Sequence, residues 1–365
     1  MKLSQITHFL EKTAPLSFQE SYDNSGLIVG SGDLEVNKVL VCLDSTEEII
    51  EEAIKTKCQL VIAHHPIVFS GLKKLNGKNY IERTIIKAIK NDIAIYAIHT
   101  NLDNVLQNGV NQKIAQKLGL SNVKILSPKH QMMSKLVVYC KPDNAEVVRK
   151  NLFENGAGNI SEYSNCSFNT EGIGTYLPSE NSNPSYGKKG ELSSPKEIKI
   201  EVLAFNYQLN KILSEAKKVH SYEEVAHEII PISNPNQQIG SGIIGELKEE
   251  KDTLEFLNSL KQTMKTNCVR HTKVATKTVK KIAVCGGSGS FLLNDAMRQK
   301  ADVFITGDYK YHQFFDAENK LVIADIGHYE SEQFTIDLIQ EILAKEFNEL
   351  QINATKVNTN PVYYL

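Results

Sequence analysis

The sequence predicts an α/β protein: parallel-type sheets flanked by helices in a discontinuous domain, with a smaller ferredoxin-like α+β domain inserted into it. Three observations carry this. From 38 to 106 the chain alternates KVLVCLD, STEEIIEEAIKTK, QLVIAHHPIVF, NYIERTIIKAIKN and IAIYAIHTNLD, short apolar runs separated by segments of helical period. The C-terminal third repeats that form with KKIAVCG, GSGSFLLNDAMRQK, ADVFITG, DYKYHQFFDAE and LVIADIG, then an amphipathic helix from about 329 to 347. Between them, from about 130 to 235, the order reads β-α-β-β-α-β, the split β-α-β of a ferredoxin-like motif.

The elements follow in order. MKLSQITHFLEKTAP reads as a short amphipathic helix with Leu3, Ile6, Phe9 and Leu10 on one face, and it lacks the apolar core of a secretory signal. The buried-type strands and their covering helices come next. In the middle, strand KLVVYCK, helix DNAEVVRKNLFENG and strand ISEYSNCSF lead into residues 169–195, which are rich in Gly, Ser, Asn and Pro and read as a long loop or mobile hairpin. Strand EIKIEVLA, helix NYQLNKILSEAKKV and strand EEVAHEIIPI complete the insertion. SPKH near 128 and SNPNQQ near 236 are composed like linkers, so the domains are expected at 1–127 with 237–365, and at 128–236.

Composition excludes several classes. The 365 residues carry 41 Lys and Arg against 43 Asp and Glu, a net charge of −2, so no global basic field exists to hold nucleic acid. The longest apolar stretches fall short of the roughly 20 residues of a membrane helix, and the cytoplasm is the expected location. The six cysteines, Cys42, Cys58, Cys140, Cys166, Cys268 and Cys285, show no CxxC spacing and read as reduced core or near-core residues.

Ligands of open α/β sheets bind outside the carboxyl ends of the strands. Three such ends carry metal-type side chains: VIA leads into His64-His65-Pro66, IAIYAI into His99-Thr100-Asn101-Leu102-Asp103, and LVIADIG into His328-Tyr329-Glu330-Ser331-Glu332. Imidazole and carboxylate suit Zn²⁺, Fe²⁺, Mn²⁺ and Co²⁺. His328 and Glu332, spaced i,i+4 at a helix start, project from one face. His64 and His65 share one centre only if the chain leaves β geometry there; alternatively each holds a different metal of a pair. A lone strand-end histidine is most often a hydrogen-bonded structural residue, but three histidines and two carboxylates exceed one tetrahedral ion and suit a two-metal site about 3.5–4 Å across.

Weaker signals surround this set. GGSGS at 286–290 offers backbone amides to phosphate, or forms only a tight turn. Thr306, Asp308 and His312 sit at another strand end and line the same cleft, or Asp308 caps a helix. The basic stretch Lys261–Lys281, with Arg270 and His271, meets a nucleotide phosphate or is a solvated face.

With YDNSGL at 22–27, VIAHHP at 61–66, AIHTNLD at 97–103, TGDYKYH at 306–312 and ADIGHYESE at 324–332, the chain resembles the dinuclear-metal-centre hexameric proteins, the GTP cyclohydrolase 1 type 2 homologues. The resemblance covers about 1–127 and 237–365, and HSYEEVAHEI at 220–229 looks like the end of the PII-like inserted domain of longer members. Tyr22 stands where members usually have Trp. The resemblance implies two divalent ions per chain, Zn, Fe or Mn, ligated by His64, His65, Asp103, His328 and Glu332. By analogy Glu332 bridges, with His65 and Asp103 on one ion and His64 and His328 on the other.

The expected chemistry is hydrolysis of a nucleotide or phosphorylated small molecule by metal-activated water, with His99, Tyr329 and Glu330 beside the ligands as general acid/base helpers or as their outer hydrogen-bond partners. A second class is a metal-binding regulator or scaffold whose inserted domain senses a small effector. The resemblance further implies a homohexamer.

Overall fold

The computed structural model describes residues 1–365, which form two compact units: Met1–Pro128 with Gln237–Leu365, and Lys129–Asn236. In chain order the strands are β1 (Gly26–Val29), β2 (Lys38–Cys42), β3 (Leu60–Ala63), β4 (Ala94–Ala97) and β5 (Ser121–Pro128). The second unit supplies β6 (Met133–Cys140), β7 (Phe168–Ile173), β8 (Lys196–Phe205) and β9 (His227–Pro231). The chain then returns through β10 (Gly240–Asp252), β11 (Arg270–His271), β12 (Thr278–Ser288), β13 (Val303–Gly307), β14 (Val322–Asp325) and β15 (Gln351–Ala354).

The first unit holds two sheets. One has the order β1-β4-β3-β2-β15, parallel except for β1. Strands β3 and β4, LVIA and AIYA, are buried at every residue, as a parallel sheet covered on both faces requires. Their cover includes helix Glu47–Thr56, capped by the Thr46 side chain, and helix Tyr80–Lys90, capped by Asn79. Ile49, Ile50 and Ala53 from the first helix and Ile85 and Ala88 from the second join Leu40, Val61 and Ile95 in one core.

The other sheet has the order β11-β14-β13-β12-β10-β5. It is mixed: β12, β13 and β14 run parallel, while β11, β10 and β5 pair antiparallel. The expectation of a parallel-type sheet holds for its centre only. Strand β5 runs through Pro128, so the supposed linker at SPKH begins as paired strand, with Gly240 opposite Pro128. The helix expected over 329–347 is broken at Gln333–Phe334 into His328–Glu332 and Thr335–Glu346. The break frees the first turn to face the strand ends while the longer helix buries Leu338, Ile339 and Leu343.

The second unit is a four-stranded antiparallel sheet, β7-β8-β6-β9, with helices Ala145–Glu154 and Leu209–Val219. That strand order and connectivity are those of a split β-α-β motif. Its core joins Leu136, Val138, Ile200 and Val202 from the sheet to Val148, Leu152, Ile212 and Ala216 from the helices. The strand expected at ISEYSNCSF is instead β7, starting at its last residue and running into the segment read as loop. Every residue of β7 is exposed, so no hydrophobic alternation marks it. No helix of the protein is long and apolar enough to cross a membrane, and all six cysteines are free.

Candidate metal centre

The carboxyl ends of the parallel strands of the first unit converge on one cleft of about 1230 Å³. After β3 the chain leaves β geometry, yet the ladder still holds it: His64 N–H donates to the Cys42 carbonyl (3.1 Å) and His65 N–H to that of Leu43 (2.8 Å). His65 lines the cleft and His64 lies fully buried beside it, with ring centres 4.9 Å apart. After β4, the short helix Thr100–Asp103 presents Asp103. It is pinned by buried bonds from Asn101 to the Ala14 carbonyl (2.7 Å) and from Asn104 to that of Phe18 (2.9 Å). After β14, Gly327 turns the chain with φ +92° into the helix that carries His328 and Glu332.

These five side chains come together in two groups sharing one carboxylate. His64 Nε2 lies 3.6 Å from Asp103 Oδ1 and 3.7 Å from Glu332 Oε1. On the other side, His65 Nε2 is 2.9 Å and His328 Nε2 3.1 Å from Glu332 Oε2, and the two nitrogens are 3.3 Å apart. The distances therefore pair His64 with Asp103 and His65 with His328, reversing the division taken by analogy. The reason is local. His64 is the more buried of the pair and faces the Asp103 turn on the adjacent strand, whereas His65 faces the second sheet.

Each histidine is aimed through its other nitrogen. His64 Nδ1 bonds the Ile98 carbonyl (2.8 Å), His65 Nδ1 bonds Asp44 (2.8 Å), and His328 Nδ1 bonds Asp308 (2.6 Å). His99 joins them, its Nδ1 on Asp23 (2.7 Å). Such acceptors fix the tautomer and leave Nε2 facing a metal, and they are the usual outer partners of ligand histidines. Asp23, Asp44 and the role of Asp308 went unread in the sequence. The signal was available for two of them, since Asp44 follows β2 and Asp308 follows β13, each one strand over from the histidine it holds.

Burial works against charge on these imidazoles, but the carboxylates outweigh it. His64 is shifted upward by Asp103 and Glu332, His65 to about 10 by Asp44 and Glu332, and His328 to about 11 by Glu332 and Asp308. Burial, aided by the Glu332 charge, pushes Asp103 up to about 6. Glu332 resists its own burial because His328, His64 and His65 hold it well below the ordinary carboxylate range. Asp23 and Asp44 are likewise lowered against burial by His99 and His65.

His64 Nε2 and Asp103 Oδ1 are buried and have no hydrogen-bond partner. Orphaned buried polar atoms are costly and call for a group that satisfies them. Two ligands each about 2.1 Å from a tetrahedral ion lie roughly 3.4 Å apart, close to the separations here. The sets His65, His328, Glu332 and His64, Asp103, Glu332 each could hold a metal ion, as could His64, His65, His99.

The glycines of GGSGS make room for this arrangement. An added Cβ at Gly287, where φ is +63°, would run into the Glu332 carboxylate. Three amides of this loop are engaged: Gly286 N–H with Asn111, Gly287 N–H with Ser331, and Gly289 N–H with Thr306. Those three bonds favour the tight turn over the phosphate cradle. Thr306 is fully buried beneath it, and His312 packs against Tyr311 and Phe315, away from the cleft lining. Arg270 lines the cleft but is paired with Asp325. Tyr329 and Glu330 line it too, and Glu330 accepts from Asn360 (3.0 Å).

Fold and site together define an α/β protein with a histidine–carboxylate centre at its strand ends. The chain belongs to the DUF34/NIF3 family: the model of Duf34/NIF3 (NGG1p interacting factor 3) matches residues 1–361. It is 37% identical to the GTP cyclohydrolase 1 type 2 homolog of Bacillus subtilis, covering 99% of this chain and 98% of that one. The homolog of the same name in Halalkalibacterium halodurans is 35% identical, with the same shares of each chain covered. The crystal structure of a Bacillus cereus protein related to NIF3 superposes with a TM-score of 0.86 at 36% identity, over 100% of this chain and 99% of that one.

Proposed function

We propose that this centre holds two divalent ions and that the protein is a metal-dependent hydrolase of a nucleotide or other phosphorylated small molecule. The observation that carries the reading is that His64 Nε2 and Asp103 Oδ1 are buried and neither has a hydrogen-bond partner. His64, Asp103 and Glu332 Oε1 would hold one ion, and His65, His328 and Glu332 Oε2 the other. The donor set has nitrogen and oxygen but no thiolate, which suits Zn, Fe or Mn. When bound, two such ions activate water at neutral pH and neutralise charge developing on a phosphoryl or carbonyl group.

The chain's own residues supply the rest. His99, oriented by Asp23, sits 5.3 Å ring to ring from His64 and 5.4 Å from His65, placed to hold or pass a proton beside the ligands. Tyr329 offers a phenol whose pKa burial raises, so it stays protonated as a donor toward a substrate. Glu330, held by Asn360, acts as an outer support. Tyr22, Phe69, Tyr80 and Phe291 are exposed and line the same cleft, giving flat apolar surfaces suited to a base. The shared name of the curated relatives puts GTP at the head of the substrate panel.

The test is release of formate or phosphate from GTP and from a panel of phosphoesters by metal-supplemented protein. Turnover that falls at least ~100-fold in Asp103→Ala supports the hydrolase, on the usual scale of losing a catalytic group. Metal-loaded protein inert across the panel contradicts it.

A regulatory reading is favoured by one observation: Lys129–Asn236 folds around a core of its own and supplies none of the ligands. By the resemblance it is PII-like and binds a small effector, and the chain assembles as a homohexamer; the cytoplasm is the location expected from composition. A solution mass of about six chains by light scattering tests the assembly, and calorimetry with nucleotide effectors tests the inserted unit.

A further inference from the structure

Beyond β15 the chain does not leave the centre. The Thr355 hydroxyl and the Lys356 amide bond to Glu52, and Val357 packs on the core of the first sheet. Thr359 and Asn360, just beyond, reach two sides of the His65–His328 group. Thr359 Oγ1 donates to Asp44 Oδ2 (2.7 Å), and the other oxygen of that carboxylate takes His65 Nδ1. Asn360 Nδ2 donates to Glu330 Oε1 (3.0 Å), on the same turn of helix as His328 and Glu332. Thr359, Asn360 and Tyr364 also line the cleft.

From this geometry we infer that Thr359 and Asn360 are positioning residues for the His65–His328 half of the centre. His65 comes from the first sheet, and His328 and Glu332 from beyond the second, so nothing within either sheet sets their separation. The strap of residues 355–360 spans the two, with Thr359 bonded to Asp44 on one side and Asn360 to Glu330 on the other. The bond to Asp44 keeps its carboxylate turned toward His65, and the bond to Glu330 holds the ligand helix against the strap. The His64–Asp103 half has no such support: its histidine is held by the Ile98 carbonyl and its carboxylate turn by Asn101, Asn104 and Asn111. The strap therefore acts directly on the His65–His328 ion and reaches the other only through the shared Glu332.

The inference rests on the two-ion reading, and the experiment separates the failure of one from that of the other. Full-length protein is stripped of metal and titrated with Co²⁺, following both binding steps by calorimetry and the visible absorption that reports cobalt geometry. In Thr359→Val and Asn360→Ala one cobalt step weakens about 3- to 10-fold and its absorption shifts, less than the 10- to 100-fold typical of losing an outer partner outright, because the strap lies one bond further out. The other step, reached only through Glu332, weakens less, Thr359→Ser restores the wild-type titration, and Lys356→Ala, an exposed side chain on the same strap, leaves both steps alone. Equal weakening of both steps, or titrations within twofold of wild type in both variants, overturns the inference. Wild-type protein that takes up no cobalt removes the two-ion reading and the inference with it.

Discussion

Glu332 stands between His64 and His65 with one oxygen facing each: Oε1 is 3.7 Å from His64 Nε2 and Oε2 is 2.9 Å from His65 Nε2. Two consecutive residues that leave a strand are thereby divided between two groups by a single carboxylate from the far end of the chain. Glu332→Gln preserves its volume and removes its charge and one acceptor oxygen. Both ions are expected to weaken, and metal per chain, measured after dialysis, to fall by more than half. Loss of only one ion would mean that Glu332 does not bridge.

Proton release is expected to accompany metal binding at this centre. In the metal-free protein His65 and His328 hold their protons to about 10 and 11, above the ordinary histidine value of 6.5. Folded values raised in this way stabilise the metal-free fold fully below about 6.5, and that contribution disappears as pH rises through 10 and 11. A metal ion must displace both protons, so its affinity rises with pH between those limits. Calorimetry at pH 7.5 in buffers of different ionisation enthalpy should show net release of protons. No dependence on buffer would contradict protonated imidazoles in the metal-free centre.

Gly287→Ala tests the space around Glu332. Its φ of +63° costs a side chain about 1–3 kcal/mol, and the new Cβ meets the carboxylate as well. Urea unfolding should show a loss of at least that order together with reduced metal content. A variant as stable and metal-rich as wild type would show that the turn relaxes freely.

How far the centre was legible in the sequence follows from what each part depends on. His64, His65, Asp103, His328 and Glu332 lie just beyond apolar strand runs, and strand ends are readable, so the structure gathers the residues the sequence singled out. Their division into two groups depends on which sheet each imidazole faces, which no local pattern encodes. Asp44, and the role of Asp308, went unread because each serves a histidine on a neighbouring strand, a relation visible only with strand order. Strands β10 and β5 escaped notice because they pair antiparallel across the insertion, with Gly240 opposite Pro128 but more than a hundred residues away in sequence. Strand β7, polar and wholly exposed, carries no burial signal at all.

Asp23→Asn separates proton handling from metal binding. Asp23 orients His99 and also accepts from Thr100 and Asn24, and none of the five candidate ligands bonds to it. Metal content should stay unchanged while turnover falls about 10- to 100-fold, within the range of a disturbed acid–base group. Unaltered turnover would remove His99 from the chemistry.

Metal content per chain is the measurement closest to the central claim. Protein purified anaerobically, without chelator or nickel affinity resin, is analysed by plasma mass spectrometry before and after incubation with Zn²⁺, Fe²⁺ or Mn²⁺. About two ions per chain, falling when Asp103 is replaced by Ala, is the expected result. Protein that holds no metal as purified and takes up none of the three contradicts the dinuclear centre.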